Sequence, residues 1–284
     1  MKQRWIINLG LGIIVAVLIW VVIYSPGKTP PPPPITLGST PADKISEIRI
    51  IRPGKKNIRL VKTGMLWRLT APINARANQF RATSVVGLAT TRSDGQLEVN
   101  IDKLAQYGLA NPLATVWLGD QKLDFGDSHP INRKRYVMTD NRIHLINDTV
   151  FRHLTVPFSD YIDSQLLAGI EPTTLELPKL RIKLGDKGWA AKPEPKDISA
   201  DRITALVDEW RHTRALSVSP YQGKTSGSSL RIGYKDDAKT GATKWLKIYI
   251  RSRKPELVLY RPDEGLEYHF PADMAKRLFE IKAQ

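Results

Sequence analysis

The stretch from Trp5 to Tyr24 constrains this chain more than any other feature: across 20 consecutive residues Asn8 is the one strongly polar side chain. At about 1.5 Å rise per residue, a helix over this run spans the roughly 30 Å hydrocarbon core of a bilayer. Trp5 at one end and Trp20 and Tyr24 at the other fall where amphipathic rings prefer the headgroup region, and Pro26 ends the helix just beyond. Lys2, Arg4 and the terminal amine precede the run and only Lys28 follows closely. That positive-inside bias keeps residues 1–4 in the cytoplasm and exports the rest. A cleaved secretory signal would need an apolar region of about 7–15 residues and a small-residue cleavage site. Here the run is longer, and Ser25 to Thr29 leads straight into five prolines, Pro30 to Pro34. A buried core helix fits poorly, because nothing polar punctuates the segment. The expectation is a bacterial inner-membrane protein with a single uncleaved anchor over residues 5–24, a Pro-rich linker over 25–43 and its bulk in the periplasm. The proline run predicts polyproline II, a semi-rigid spacer of about 3.1 Å per residue. An SH3-type ligand is the sharper alternative, and the outer side of a membrane does not suit it.

The remainder reads as folded, with 42% hydrophobic and 25% charged residues in a chain of 284. The formal charge of +15 raises nucleic acid or anionic lipid as partners. Its distribution argues against a polycationic domain: 18 basic face 12 acidic residues from Asp43 to Leu166, and 22 face 16 from Leu167 to Gln284. With that compartment and no recognition motif, nucleic acid is not an expected partner. The absence of cysteine removes disulfides, thiolate metal sites and cysteine nucleophiles.

Short alternating runs predict strands at Ile45 to Arg52 and Asn57 to Lys62 around the turn Pro53-Gly54-Lys55-Lys56, then at Met65 to Leu69. A helix capped by Asn78 and a strand at Leu97 to Val99 follow. The order recurs at Thr174 to Leu177, Leu180 to Leu184, the Gly185 to Gly188 turn, Trp189, Pro193 and a helix opened by Ser199. In that helix Ile203, Leu206, Val207 and Trp210 form one apolar face. Trp67 and Trp189 stand 122 positions apart in the same place of each series. Two meanders come next, Thr115 to Leu118, Lys122 to Phe125, Arg135 to Met138 and Arg142 to Ile146, then Leu230 to Tyr234, Trp245 to Arg251, Leu257 to Arg261 and Leu266 to Phe270. Each ends in a short helix, Asp148 to Leu154 and Ala272 to Phe279. The predicted fold is α+β: a transmembrane helix followed by two tandem, duplicated lobes of mostly antiparallel sheet with short helices, at residues 44–167 and 168–284.

One set of residues carries a family resemblance. Trp67 and Pro72, then Tyr107-Gly108-Leu109 with Pro112, then the Gly126-Asp127 turn and the Tyr136-Val137 strand resemble the bacterial family known as domain of unknown function 4340, over roughly Ile45 to Leu167. These are shape-determining residues. Gly108 suits the left-handed end of a short helix over Asp102 to Tyr107, and Pro112 is expected to start the next strand at an edge. The resemblance implies a membrane-anchored periplasmic protein without an assigned catalytic residue, and some members resemble companions of ABC-type transporters. No phosphate-binding Gly-Lys-Ser/Thr loop is present, so the implied role is accessory.

No chemistry stands out. The five histidines include no His-x-x-x-His pair, Asp127 beside His129 reads as turn capping, and Ser226 to Ser229 lacks a nucleophile elbow. No enzyme activity, metal or cofactor is expected. Three basic turns remain: Lys55-Lys56, Arg133-Lys134-Arg135 and Arg251-Ser252-Arg253-Lys254. The last two are the candidate contacts for a partner or anion. The leading expectation is a scaffold or adaptor for an envelope protein complex. The other is a module binding an anionic lipid or glycan between its lobes.

Overall fold

The computed structural model describes residues 2–24, 34–38, 40–194, 198–221, 223–225, 227–235 and 242–281. Two compact units emerge, Met1–Ile35 and Thr36–Gln284. The first contains α1 (Lys2–Tyr24), whose Arg4–Tyr24 part is long and apolar enough to cross a membrane and has none of its residues buried. Trp5, Trp20 and Tyr24 are exposed on it, with the Trp20 and Tyr24 rings 5.6 Å apart. The spacer expected at the proline run lies, Pro34 apart, outside the described residues.

The second unit begins inside the stretch read as linker. Leu37 is buried, its amide donates to the Thr91 carbonyl at 3.0 Å, and Thr36 bridges Arg92. From there two antiparallel sheets follow. The first comprises β1 (Glu47–Ile51), β2 (Ile58–Thr63), β3 (Leu66–Ala71), β4 (Ala75–Arg76), β5 (Gly95–Glu98), β6 (Ala114–Leu118), β7 (Gln121–Ser128), β8 (Lys134–Thr139) and β9 (Arg142–Asn147). Their order across the sheet is β4-β3-β2-β1-β6-β7-β8-β9-β5. Between β4 and β5 runs α2 (Gln79–Val86), where the Asn78 side chain accepts from the Arg81 amide as expected. After β9 a 3-10 turn over Asp148–Val150 and α3 (Arg152–Thr155) occupy the span read as one helix.

The second sheet comprises β10 (Pro172–Leu177), β11 (Leu180–Gly185), β12 (Gly188–Lys192), β13 (Ser217–Pro220), β14 (Ser228–Lys235), β15 (Thr243–Ser252), β16 (Leu257–Arg261) and β17 (Leu266–Phe270). Its order is β12-β11-β10-β14-β15-β16-β17-β13, which repeats that of the first sheet once β4 is set aside. Even the local register agrees: Trp67 stands opposite Lys62 and Trp189 opposite Leu184. Here α4 (Ala200–His212) takes the place of α2 and buries Ile203, Leu206, Val207 and Trp210, the face that the spacing predicts. Ser199 sits at the N-cap position, but its side chain makes no capping bond. A last helix, α5 (Met274–Phe279), lies against α4, and the Trp210 indole donates to the Leu278 carbonyl at 2.7 Å.

Two expectations need correction. Gly126-Asp127 does not end a strand; it lies within β7, where the register against β8 shifts between Phe125 and Ser128, so the pair forms a bulge. Pro112 precedes β6 by two residues, and β6 is an interior strand flanked by β1 and β7, not an edge. Its missing amide therefore falls before the ladder begins.

Candidate functional site

Of the residues quoted for the family resemblance, Tyr107, Gly108, Leu109, Gly126, Asp127 and Tyr136 meet in one place. A 3-10 helix over Ile101–Tyr107 ends at Gly108, whose φ of 66° is the left-handed value that glycine adopts without strain. The following Leu109 is buried on the β7 bulge. A Cβ at Gly126 would stand 2.2 Å from the Tyr107 carbonyl oxygen, and one at Gly108 would stand 2.5 Å from the Asp127 carboxylate. The two glycines thus let helix end and bulge approach backbone to backbone. On the outer side the Tyr107 and Tyr136 rings lie 4.7 Å apart and His129 lies 5.7 Å from Tyr136. Burial, then the neighbouring Tyr107, pushes the Tyr136 hydroxyl pKa up. Trp67 and Pro72 belong elsewhere. Trp67 is buried, and its amide and carbonyl bond the Gln79 side chain at 2.8 and 3.0 Å, while Pro72 follows β3 half-buried.

The basic turns differ from the sequence reading. Arg135 is not a surface cation. Its side chain is 8% exposed and donates to Asp148 at 2.5 Å, to the Gly126 carbonyl and to Ser128 at 2.9 Å, with the guanidinium 3.8 Å from the Phe151 ring centre. Burial alone would raise the Asp148 carboxyl, but hydrogen bonds from Arg135 and Ser128 and the Arg135 charge outweigh it and hold it below its ordinary value. Arg133 is exposed at φ 54°, and Lys134 reaches Asp94 at 3.4 Å. In the second sheet Arg251 is half-buried between Glu267 at 3.3 Å and the Tyr221 ring at 4.5 Å. Arg253 lies 4.5 Å over Phe279, and Lys254 is exposed beside it. The two clusters occupy equivalent hairpins, β7–β8 and β15–β16, one in each sheet.

No sequence pattern marks the seam between the two sheets, where a second buried charge cluster lies. Arg261 is 3% exposed; it donates to the Leu166 carbonyl at 2.6 Å and pairs with Asp263 at 2.6 Å and Glu264 at 3.2 Å. Glu264 also takes Arg76 of β4 at 3.0 Å and the Tyr268 hydroxyl at 2.6 Å. Burial pulls the Arg261 pKa down, but the Asp263 hydrogen bond and the charges of Glu264 and Asp263 raise it further, so the guanidinium stays charged. Backbone bonds from Leu166 to Thr213 and from Ala215 to Ser164, and Arg214 paired with Asp163 at 3.3 Å, complete the seam. A polar hollow opens beside it, lined by Asn78, Arg81, Asp160 and Ser164 on one side and Leu216 and Ser217 on the other.

Comparison with known protein families matches residues 67–229 to "Domain of unknown function (DUF4340)". The chain belongs to this family. The match begins at Trp67, runs through the docked Tyr107-Gly108-Leu109 and Gly126-Asp127 elements and continues past the seam to the start of β14, so it reaches from the first sheet into the second and stops short of β15 to β17. No curated protein and no solved structure matches the chain. Among the described residues no group of three or more His, Asp or Glu side chains is arranged to hold a metal.

Proposed function

We propose that this DUF4340 protein is a single-pass inner-membrane protein whose folded part faces the periplasm and serves, without catalysis of its own, as a scaffold or adaptor for an envelope complex, accessory to an ABC-type transporter. The carrying observation is the Arg4–Tyr24 part of α1, a 21-residue apolar segment with no buried residue and with cations at its N-terminal side. The shared strand order supports a duplicated module. The ion-paired seam favours a rigid two-lobed body whose hairpin ends are free to meet protein partners. Purification at native expression in mild detergent is expected to recover other membrane proteins with it; a lone monomer would overturn the scaffold reading. A C-terminal phosphatase fusion should be active and a fluorescent-protein fusion dark; the reverse would overturn the orientation.

A second reading follows from the polar hollow between the lobes: an anionic lipid headgroup or glycan held there by Arg81, which pairs loosely with Asp160 at 3.6 Å. Arg133 and Lys134 do not line that hollow, so in this reading Arg81→Glu should abolish binding and Arg133→Glu should not.

A further inference from the structure

We propose that the β7–β8 hairpin docks on an anionic bilayer surface, with Ile131 as the element that enters it. The proposal rests on reading α1 as a membrane anchor. Ile131 is 87% exposed at the hairpin tip, where its amide donates to the His129 ring. A lone exposed isoleucine is ordinary; its setting is not. Arg133 stands two residues on with no ion pair to its side chain among the described residues, and Lys134 and Arg92 share the single carboxylate of Asp94, at 3.4 and 4.0 Å. Of the other carboxylates in the hairpin region, Asp148 is already taken by Arg135 and exposed Asp127 remains, so the four cations Arg92, Arg133, Lys134 and Arg135 face the three carboxylates Asp94, Asp127 and Asp148. An excess of positive charge therefore surrounds the apolar tip. Beneath it His129, Tyr136 and Tyr107 form a ladder of rings with polar ends, the side-chain type that settles at a membrane–water boundary. An apolar tip, a cationic collar and an aromatic base make up a peripheral membrane contact, in which tip and charge add.

The tether allows the contact. Eleven residues separate Tyr24 from Thr36, a reach of at most about 40 Å when extended. Thr36 bridges Arg92, so the chain joins the folded unit two contacts away from Lys134. The opposite end of the same sheet supplies the contrast. Met65 is 91% exposed at the β2–β3 turn, yet at that end Asp120 and Asp140 stand among Lys62, Lys122 and Arg142, with Lys122 already paired to Asp124. An apolar tip among charges of both signs gains little from anionic lipid.

The lack of cysteine makes the test clean. Single cysteines introduced at Ile131, Met65 and Ile14 of the full chain carry an environment-sensitive dye. Each labelled chain is placed in nanodiscs of phosphatidylcholine, with or without one-third phosphatidylglycerol. In anionic discs the dye at 131 should shift to the blue and be quenched by nitroxide-labelled lipid. The dye at 65 should stay in water, and the dye at 14 should be quenched in both lipids. Replacing Arg133→Glu together with Lys134→Gln should return position 131 to its neutral-lipid signal, each cation being worth about fivefold in association with the anionic surface. Identical signals at 131 and 65, or an inserted 131 indifferent to both lipid charge and the Arg133 and Lys134 replacements, would overturn the proposal while quenching at 14 left the anchor intact. Absence of quenching at 14 would remove the anchor reading itself.

Discussion

Replacing Arg261 with methionine tests whether the two lobes form one cooperative body. Methionine keeps much of the side-chain volume and deletes the cation, leaving the Leu166 carbonyl without its 2.6 Å donor and Asp263 and Glu264 without their shared guanidinium. Removing one partner of a buried pair costs about 3–5 kcal/mol. The lower end applies here. The Asp263 side chain is 46% exposed and regains water, while Glu264 keeps Arg76 at 3.0 Å and the Tyr268 hydroxyl at 2.6 Å. About 3 kcal/mol in a folded unit of this size lowers the melting temperature by about 6–12 °C. Tryptophan fluorescence during heating of the full chain in detergent measures it, since Trp67 and Trp117 report on the first sheet and Trp189 and Trp245 on the second. Arg76→Met alone should cost less, its side chain being 27% exposed. The double variant should cost more than both singles together, because each single replacement leaves Glu264 one cation and the double leaves none; a coupling of about 1 kcal/mol or more is expected. A shift below about 2 °C for Arg261→Met, or strict additivity with Arg76→Met, would refute the seam as a structural joint.

Gly126→Ala forces a methyl group to 2.2 Å from the Tyr107 carbonyl and should destabilise by about 1–3 kcal/mol in chemical unfolding, whereas Gly119→Ala, with open space around it, loses only the smaller left-handed penalty of about 1–2 kcal/mol. Trp210→Ala empties a fully buried site and strands the Leu278 carbonyl, so a loss of about 3–5 kcal/mol is expected, with α5 the first element to lose hydrogen-exchange protection. Burial lowers the pKa of His144, Arg142 adding to the effect against Asp140, and likewise lowers that of His153 with the help of Arg152 and Arg81. A histidine whose folded pKa lies below the unfolded 6.5 is protonated more readily in the unfolded chain, so stability should be full above that pH and fall as pH drops through it. His144→Gln should flatten the fall measured by melting between neutral and mildly acidic pH.

What the sequence made legible was local. Period-two alternation located both meanders, and the i, i+3, i+4, i+7 spacing of Ile203, Leu206, Val207 and Trp210 named the buried face of α4. Pairing between distant segments carries no such periodic mark. The closure of each hairpin onto its meander, β1 on β6 and β10 on β14, and the return of β5 and β13 to the far edges are visible only in the fold. The Gly126-Asp127 dipeptide has the composition of a strand-ending turn and of a bulge alike; the glycine there admits Tyr107, a residue 19 positions earlier.

Which arginines are buried follows from the parity of their strands. In β1 the inward positions are Ile48 and Ile50, and Arg52 continues them; in β8 Arg135 shares a face with Val137; in β16 Arg261 follows Leu257 and Leu259. All three are buried, and of them only Arg135 belongs to a basic turn that the sequence offers to solvent or a partner. Each sits at a strand end, where a guanidinium on the core side reaches carbonyls that the ladder leaves over: Leu154 for Arg52, Gly126 for Arg135, Leu166 for Arg261. Two of them also find a carboxylate. Arg52 finds none: it is held by carbonyls, its Nε has no partner among the described residues, and burial lowers its pKa, with Tyr161 opposing. An arginine in phase with the core of its strand thus cross-links that strand to carbonyls of another segment, and one outside the strand, such as Arg133, whose left-handed backbone at φ 54° interrupts the alternation before β8 begins, remains available to whatever lies outside the fold. Arg52 and Arg135 thereby tie together elements on the side of the first sheet, Arg261 ties the second sheet to Leu166, and Arg133 is left to meet a membrane or a partner.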